Sequence, residues 1–212
     1  MKKSSLTVIL VIVGVIVLGF IIGVKYRNNM VTQDQNVKKA WGNVENQYQR
    51  RLDLIPNIVN TVKGYAEHEK TTYENVTAAR SGLKGAYDNA KAELNDEAAD
   101  NLDQFQQSQA ELNRQLGIYI NAVHEAYPAL RANENFMNLQ EQLEGTENRI
   151  AVERTRYNEA VEQFNNTILR FPGSLFAWGY SEKSMFNAES GAEKAPKVDF
   201  GTGSSNSATD DF

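Results

Sequence analysis

Carboxylates and histidines are where metal or acid–base chemistry could begin in this chain, which contains no cysteine. Glu141, Glu144, Glu147 and Glu153 fall close together on one helical pattern, an arrangement that invites comparison with a di-iron bundle. Such a centre needs an E-x-x-H pair on each of two helices, so that a glutamate and a histidine one turn apart reach the metal together. His68 and His124 are the only histidines, and neither stands three residues after a glutamate. The glutamates therefore read as solvated or salt-bridged helix faces, and the histidines as surface or partly buried helix residues. Gly82-Leu83-Lys84-Gly85 has neither the preceding strand nor the spacing of a phosphate-binding loop. Serine nucleophile motifs are missing as well, and without cysteine there is no thiol catalysis, thiolate metal site or disulfide. No residue is assigned as catalytic, cofactor-binding or metal-ligating, no cofactor is expected, and the chain is expected not to be an enzyme.

The polar residues that interrupt apolar seams are more informative. Arg51, Glu69 and Arg80, and later Glu147 and Glu153, fall where a purely stabilising bundle would carry aliphatics. One reading is that their stems pack while their charged heads reach water. The other is that opposite charges pair between helices and set register at some cost in stability, with Arg51 and Glu147 as the pair to test.

The elements that position these residues follow from periodicity. From Val37 to Leu94 apolar residues recur at alternating steps of three and four, through Trp41, Val44, Tyr48, Ile55, Val59, Val62, Val76, Leu83, Tyr87 and Ala90. This spacing lies between that of a supercoiled and a straight helix. It predicts one very long helix, beginning near Asn28 and joining the preceding apolar segment almost directly, with a kink or short break at Pro56. Asn95, Asp96 and Glu97 read as a turn that caps a second helix carrying Leu102, Phe105, Gln109, Leu112, Leu116, Tyr119 and Val123. Pro128 ends that helix near Tyr127. Asn133 or Asn135 then caps a third, from Phe136 through Leu143, Ile150, Tyr157, Val161, Phe164 and Ile168 to Phe171, stopped by Pro172-Gly173. Amphipathic helices of this kind can hide their stripes only against one another. The fold class is all-α, an extended antiparallel bundle of three helices, or four if Pro56 or a glycine divides the first.

Ahead of the bundle, no charge occurs from Ser4 to Val24. The 19 residues from Leu6 to Val24 would make a helix of roughly 28 Å, close to the hydrocarbon thickness of a bilayer. Lys2 and Lys3 could begin a cleaved signal, but the apolar run is longer than a signal core and ends at Lys25, Tyr26 and Arg27, the border of a retained span. Residues 1–5 are a short flank, 6–24 the transmembrane helix and 26–186 the bundle. Within the last of these, Leu175, Phe176, Trp178 and Tyr180 are expected to be buried as the chain packs back onto the bundle or near the membrane. Residues 187–212 are a polar tail expected to be disordered. The net charge of −5 and the absence of a basic stripe argue against nucleic acid as a partner.

The stretch VKKAWGNVENQYQRRLDLIPNIVNTVKGYAEHEKTTYENVTAARS, within Asn36 to Ser81, closely resembles the LemA family of bacterial membrane-anchored proteins. So does YPALRANENFMNLQEQLEGTENRIAVERTRYNEAVEQFNNTILRFPG, from Tyr127 to Gly173. The resemblance implies a helical bundle behind a single transmembrane helix, with no established enzymatic activity and no catalytic residue to carry over. A LemA-like protein takes part in magnetosome membrane formation, and some relatives sit beside membrane metalloprotease genes. Many relatives carry a lipoprotein-type cysteine near the N-terminus; its absence here leaves the apolar helix as the anchor.

The expected function is a membrane-anchored, non-enzymatic scaffold that presents its bundle to protein partners, a membrane protease being one, or to further copies of itself. The alternative is a protein that oligomerises to organise or remodel the bilayer, with the segment around Phe176 and Trp178 touching lipid. The expected location is the bacterial cytoplasmic membrane, in a single pass. Basic residues flank the span almost evenly, with Lys2 and Lys3 on one side and Lys25, Arg27, Lys38 and Lys39 on the other. The lipoprotein relatives favour a bundle on the extracytoplasmic side.

Overall fold

A computed structural model describes residues 2–69, 73–95 and 97–187, and the side chains of residues 2–6, 68 and 69 lie outside the description, as do Asp96 and the tail from 188 to 212. The bundle is built from helix α1 (Lys2–Glu69), α2 (Glu74–Glu93), α3 (Leu102–Ala126) and α4 (Glu134–Leu169). Single turns of 3-10 helix follow α3 at Pro128–Ala132 and α4 at Gly173–Phe176. No strand occurs among the described residues.

Helix α1 spans 68 residues, roughly 100 Å at 1.5 Å per residue. Its N-terminal part is long and apolar enough to cross a membrane. The large aliphatic side chains from Val8 to Val24 are exposed, whereas Met30, Val37, Trp41 and Val44 on the same helix are buried. The expected break at Pro56 does not occur. Pro56 lies on the exposed side of α1, where its ring meets solvent and not a packed neighbour, and the helix runs through it.

The reversal comes instead between Glu69 and Glu74, where Tyr73 is extended with φ −93° and ψ 133°. The seam that reads as one helix from Val37 to Leu94 is therefore two antiparallel helices. Its period survives the reversal because each half buries a stripe, and a stripe carries no record of where its partner lies.

Successive helices alternate in direction, with α1 packed mainly on α4 and α2 on α3. Trp41 meets Tyr157 edge-on at 5.5 Å and Tyr73 meets Tyr127 at 5.2 Å, contacts that mark the antiparallel alignment of the two pairs. At the end remote from the apolar run, Tyr127 leaves the helical region before Pro128. Asn133 then caps α4, its Oδ1 accepting the Phe136 amide at 3.1 Å. Asn95 does not cap α3: its Oδ1 accepts from the Glu97 amide at 2.8 Å and its Nδ2 donates to Ala92 O at 2.9 Å, closing the end of α2 instead. Helix α3 begins only at Leu102.

Two apolar clusters fill the bundle. The distal one gathers Leu52, Ile58, Leu83, Leu112, Tyr119 and Phe136 from all four helices. The other, toward the apolar run, holds Met30, Trp41, Tyr48, Phe105, Tyr157 and Phe164. Each large side chain so enclosed contributes about 1.5–3 kcal/mol relative to exposure.

After α4 the chain turns back and climbs along the bundle as an irregular strap to Asn187. Gly173 permits the turn, since a Cβ there would lie 2.2 Å from Thr167 O, and Gly179 adopts φ +83° where the strap bends again. The strap departs from expectation in its side chains. Phe176 and Tyr180 are half-buried, but Leu175 and Trp178 are exposed, as is Phe171. The strap is held mainly by backbone groups and by Phe186, which leaves these apolar residues free to face outward.

Candidate functional site

The two apolar clusters are separated by a polar layer to which every helix contributes. Arg51 of α1 is 2% exposed. Its Nη1 donates to Glu147 Oε1 of α4 at 2.8 Å, and its Nη2 donates to Gln109 Oε1 of α3. Gln109 in turn donates through Nε2 to Ala90 O at 3.1 Å. That carbonyl belongs to the last turn of α2. One hydrogen-bonded chain thus links four helices. The guanidinium also lies 5.1 Å from the centre of the Tyr48 ring, while Arg51 Nε has no partner.

The layer selects one register. Tyr48, Phe105 and Ile150 lie on one side of it, and Leu52, Leu112 and Leu143 on the other. Sliding α1 against α4 by one turn would part Arg51 from Glu147 and leave a buried charge uncompensated, a cost of several kcal/mol. Of the two readings of the seam, the interhelical pairing of Arg51 with Glu147 is the one present. Gln109 was legible only as a seam position; its neighbours are aliphatic and aromatic, and a lone amide among them was the available signal.

Among the described residues, the polar seam positions Glu153 and Arg80 do not form such a pair between helices. Glu153 bonds Arg156 on its own helix, with its second oxygen buried and unpartnered, and Arg80 is exposed. The side chains of Glu69 and His68 lie outside the described residues. His124 is partly buried beside Phe136 and Gln140. Burial, and then the nearby charge of Arg131, hold its pKa below the usual histidine value. Glu141 and Glu144 stay on the outer face of α4, and among the described residues no group of three or more His, Asp or Glu side chains could hold a metal.

A second constellation lies where the strap meets α1. Phe176 stacks on Tyr26 at 6.1 Å and sits against Gly23, where a Cβ would come 2.8 Å from its ring. Arg27 donates to Trp178 O at 2.7 Å, and its guanidinium lies 4.5 Å from the Trp178 ring centre and 4.8 Å from that of Tyr180. Higher up, Asp34 bridges Lys38 and Lys183, each at 3.0 Å. Partial burial pushes its pKa upward, but the two lysines outweigh this and leave it below the usual aspartate value. Asn158 closes the strap. Its Oδ1 accepts from the Phe186 amide at 2.8 Å and its Nδ2 donates to Phe186 O at 3.0 Å. Phe186 then completes an aromatic cluster with Trp41, Phe105 and Tyr157. Burial, with Asp100 nearby, pushes the Tyr157 phenol up to about 12.

Fold and constellations define an all-α bundle protein whose first helix carries a long exposed apolar run. A model of the LemA family matches residues 40–200, and the chain belongs to that family. The match takes in the polar layer and the described strap, and begins after the apolar run. No match is found among curated proteins.

Proposed function

We propose that this LemA-family chain is a membrane-tethered scaffold that carries no reaction of its own and presents a rigid helical surface to protein partners. The observation that carries the reading is the continuity of α1, which passes without a break from an exposed apolar run into the buried centre of the bundle. A flexible linker would let the bundle tumble on the membrane; a continuous helix transmits the orientation of the span to every side chain of the bundle. The polar layer supports the same reading, since a single register keeps the presented surface fixed.

In this proposal α1 crosses the cytoplasmic membrane of a bacterium once and the bundle stands on the extracytoplasmic side. Partners are membrane-associated proteins, a membrane protease or a further copy of the chain among them. A photo-crosslinking residue placed along the exposed faces of α2 and α3 in cells tests this. Discrete adducts from a contiguous set of positions are expected. Adducts from no position, with a detergent-solubilised chain that sizes as a monomer, would refute it. Alkaline phosphatase fused after Phe212 should be active, and inactivity would reverse the orientation.

A further inference from the structure

We infer that the base of the bundle, from Phe171 to Trp178, is a lipid-binding surface that lies in the interfacial layer of the bilayer; the inference rests on the reading of α1 as a membrane span. The residues concerned are large, apolar and outward-facing. Phe171 is 81% exposed, Trp178 76% and Leu175 67%, with Leu169 at the end of α4 beside them at 58%. An apolar cluster of this kind at one end of a bundle calls for something to cover it.

Position identifies the cover. Phe176 lies against Gly23, next to the last residue of the apolar run. Trp178 is tied through its carbonyl and its ring to Arg27, which stands three residues past Val24, about 4.5 Å along the helix. The strap therefore descends to the height at which α1 leaves the hydrocarbon, and its exposed side chains adjoin the exposed side chains of the span. Tryptophan and tyrosine favour this height because one end of the ring is apolar and the other polar. Charge agrees: Leu169 to Ser181 contains no acidic residue, and Lys25, Arg27 and Arg170 are the charges at this level, suited to lipid phosphates. A second copy of the chain could cover the same residues, but the surface continues directly into the run that lipid must surround.

The chain has two tryptophans and no cysteine, so single probes are easily placed. In the full-length W41F variant, reconstituted in phosphatidylcholine vesicles, Trp178 is the sole tryptophan. Loss of its emission to lipids brominated high on the acyl chains, greater than the loss to lipids brominated near the chain ends, is the expected result. Trp178 that no brominated lipid quenches, in a protein that alkaline carbonate cannot extract, would overturn the inference while leaving the span intact. Shielding from brominated lipid and aqueous quencher alike would assign the surface to a second copy and overturn it too. Extraction by carbonate would instead remove the span, and the inference with it. A spin label at L175C, in a chain that retains Trp41, provides an independent readout. Greater accessibility to oxygen than to a water-soluble paramagnet is expected, and the reverse order would refute lipid contact.

Discussion

Glu147→Leu isolates the energetic role of the polar layer. Arg51 is 2% exposed and its charge is met by one carboxylate, Glu147 at 2.8 Å. Removing the partner of a buried charge costs about 3–5 kcal/mol when both groups are enclosed. The Glu147 side chain is 34% exposed, so water reaches the vacated position and the expected loss falls to about 2–3 kcal/mol. For a domain of this size that lowers Tm by about 4–12 °C. Arg51→Met removes the charge but leaves Gln109 Oε1 without its donor, a cost of about 1–3 kcal/mol. In the double variant the uncompensated guanidinium is gone, so its loss should be smaller than the sum of the two single losses by at least about 1 kcal/mol. Urea unfolding of the detergent-solubilised full-length chain, followed by circular dichroism, supplies all corners of the cycle. Additive losses, or a Glu147→Leu variant within about 0.5 kcal/mol of the parent, would show that the pair does not bear on stability and that register is set elsewhere.

The remaining predictions concern the strap and the titratable groups. Asn158→Ala removes two hydrogen bonds to Phe186, so the strap should loosen by about 1–3 kcal/mol; unchanged amide exchange at residues 184–187 would refute its clamping role. Gly173→Ala places a Cβ against Thr167 O and should cost at least about 1–3 kcal/mol, read as a lowered urea midpoint. The depressed pKa of His124 means that the unfolded chain binds its proton first, so the stability it contributes is present above the unfolded value of 6.5 and is lost as pH falls through the folded value. His124→Gln should flatten stability against pH in that window, and an unaltered profile would refute the assignment. The Tyr157 phenol, pushed up to about 12, should be missing from the ultraviolet ionisation step near pH 10; a Tyr157→Phe difference spectrum locates it.

Much of this protein was present in its residue order. Apolar run length, seam spacing, Pro128 and Pro172 establish a helical protein with a span-length N-terminus, because hydrophobic burial and backbone geometry act locally along a helix. Asn133 was legible as one of two caps, and Arg51 and Glu147 as polar residues in apolar seams. Tertiary structure decided the rest. The reversal at residues 69–74 was hidden because a stripe facing α4 and a stripe facing α3 have the same period. Gln109 acquired its role only when the end of α2 brought Ala90 O beside it, and the strap took its course because Asn158 of α4 holds Phe186 and Asp34 of α1 holds Lys183. Periodicity specifies which side of a helix is buried; only the meeting of distant segments specifies what it is buried against.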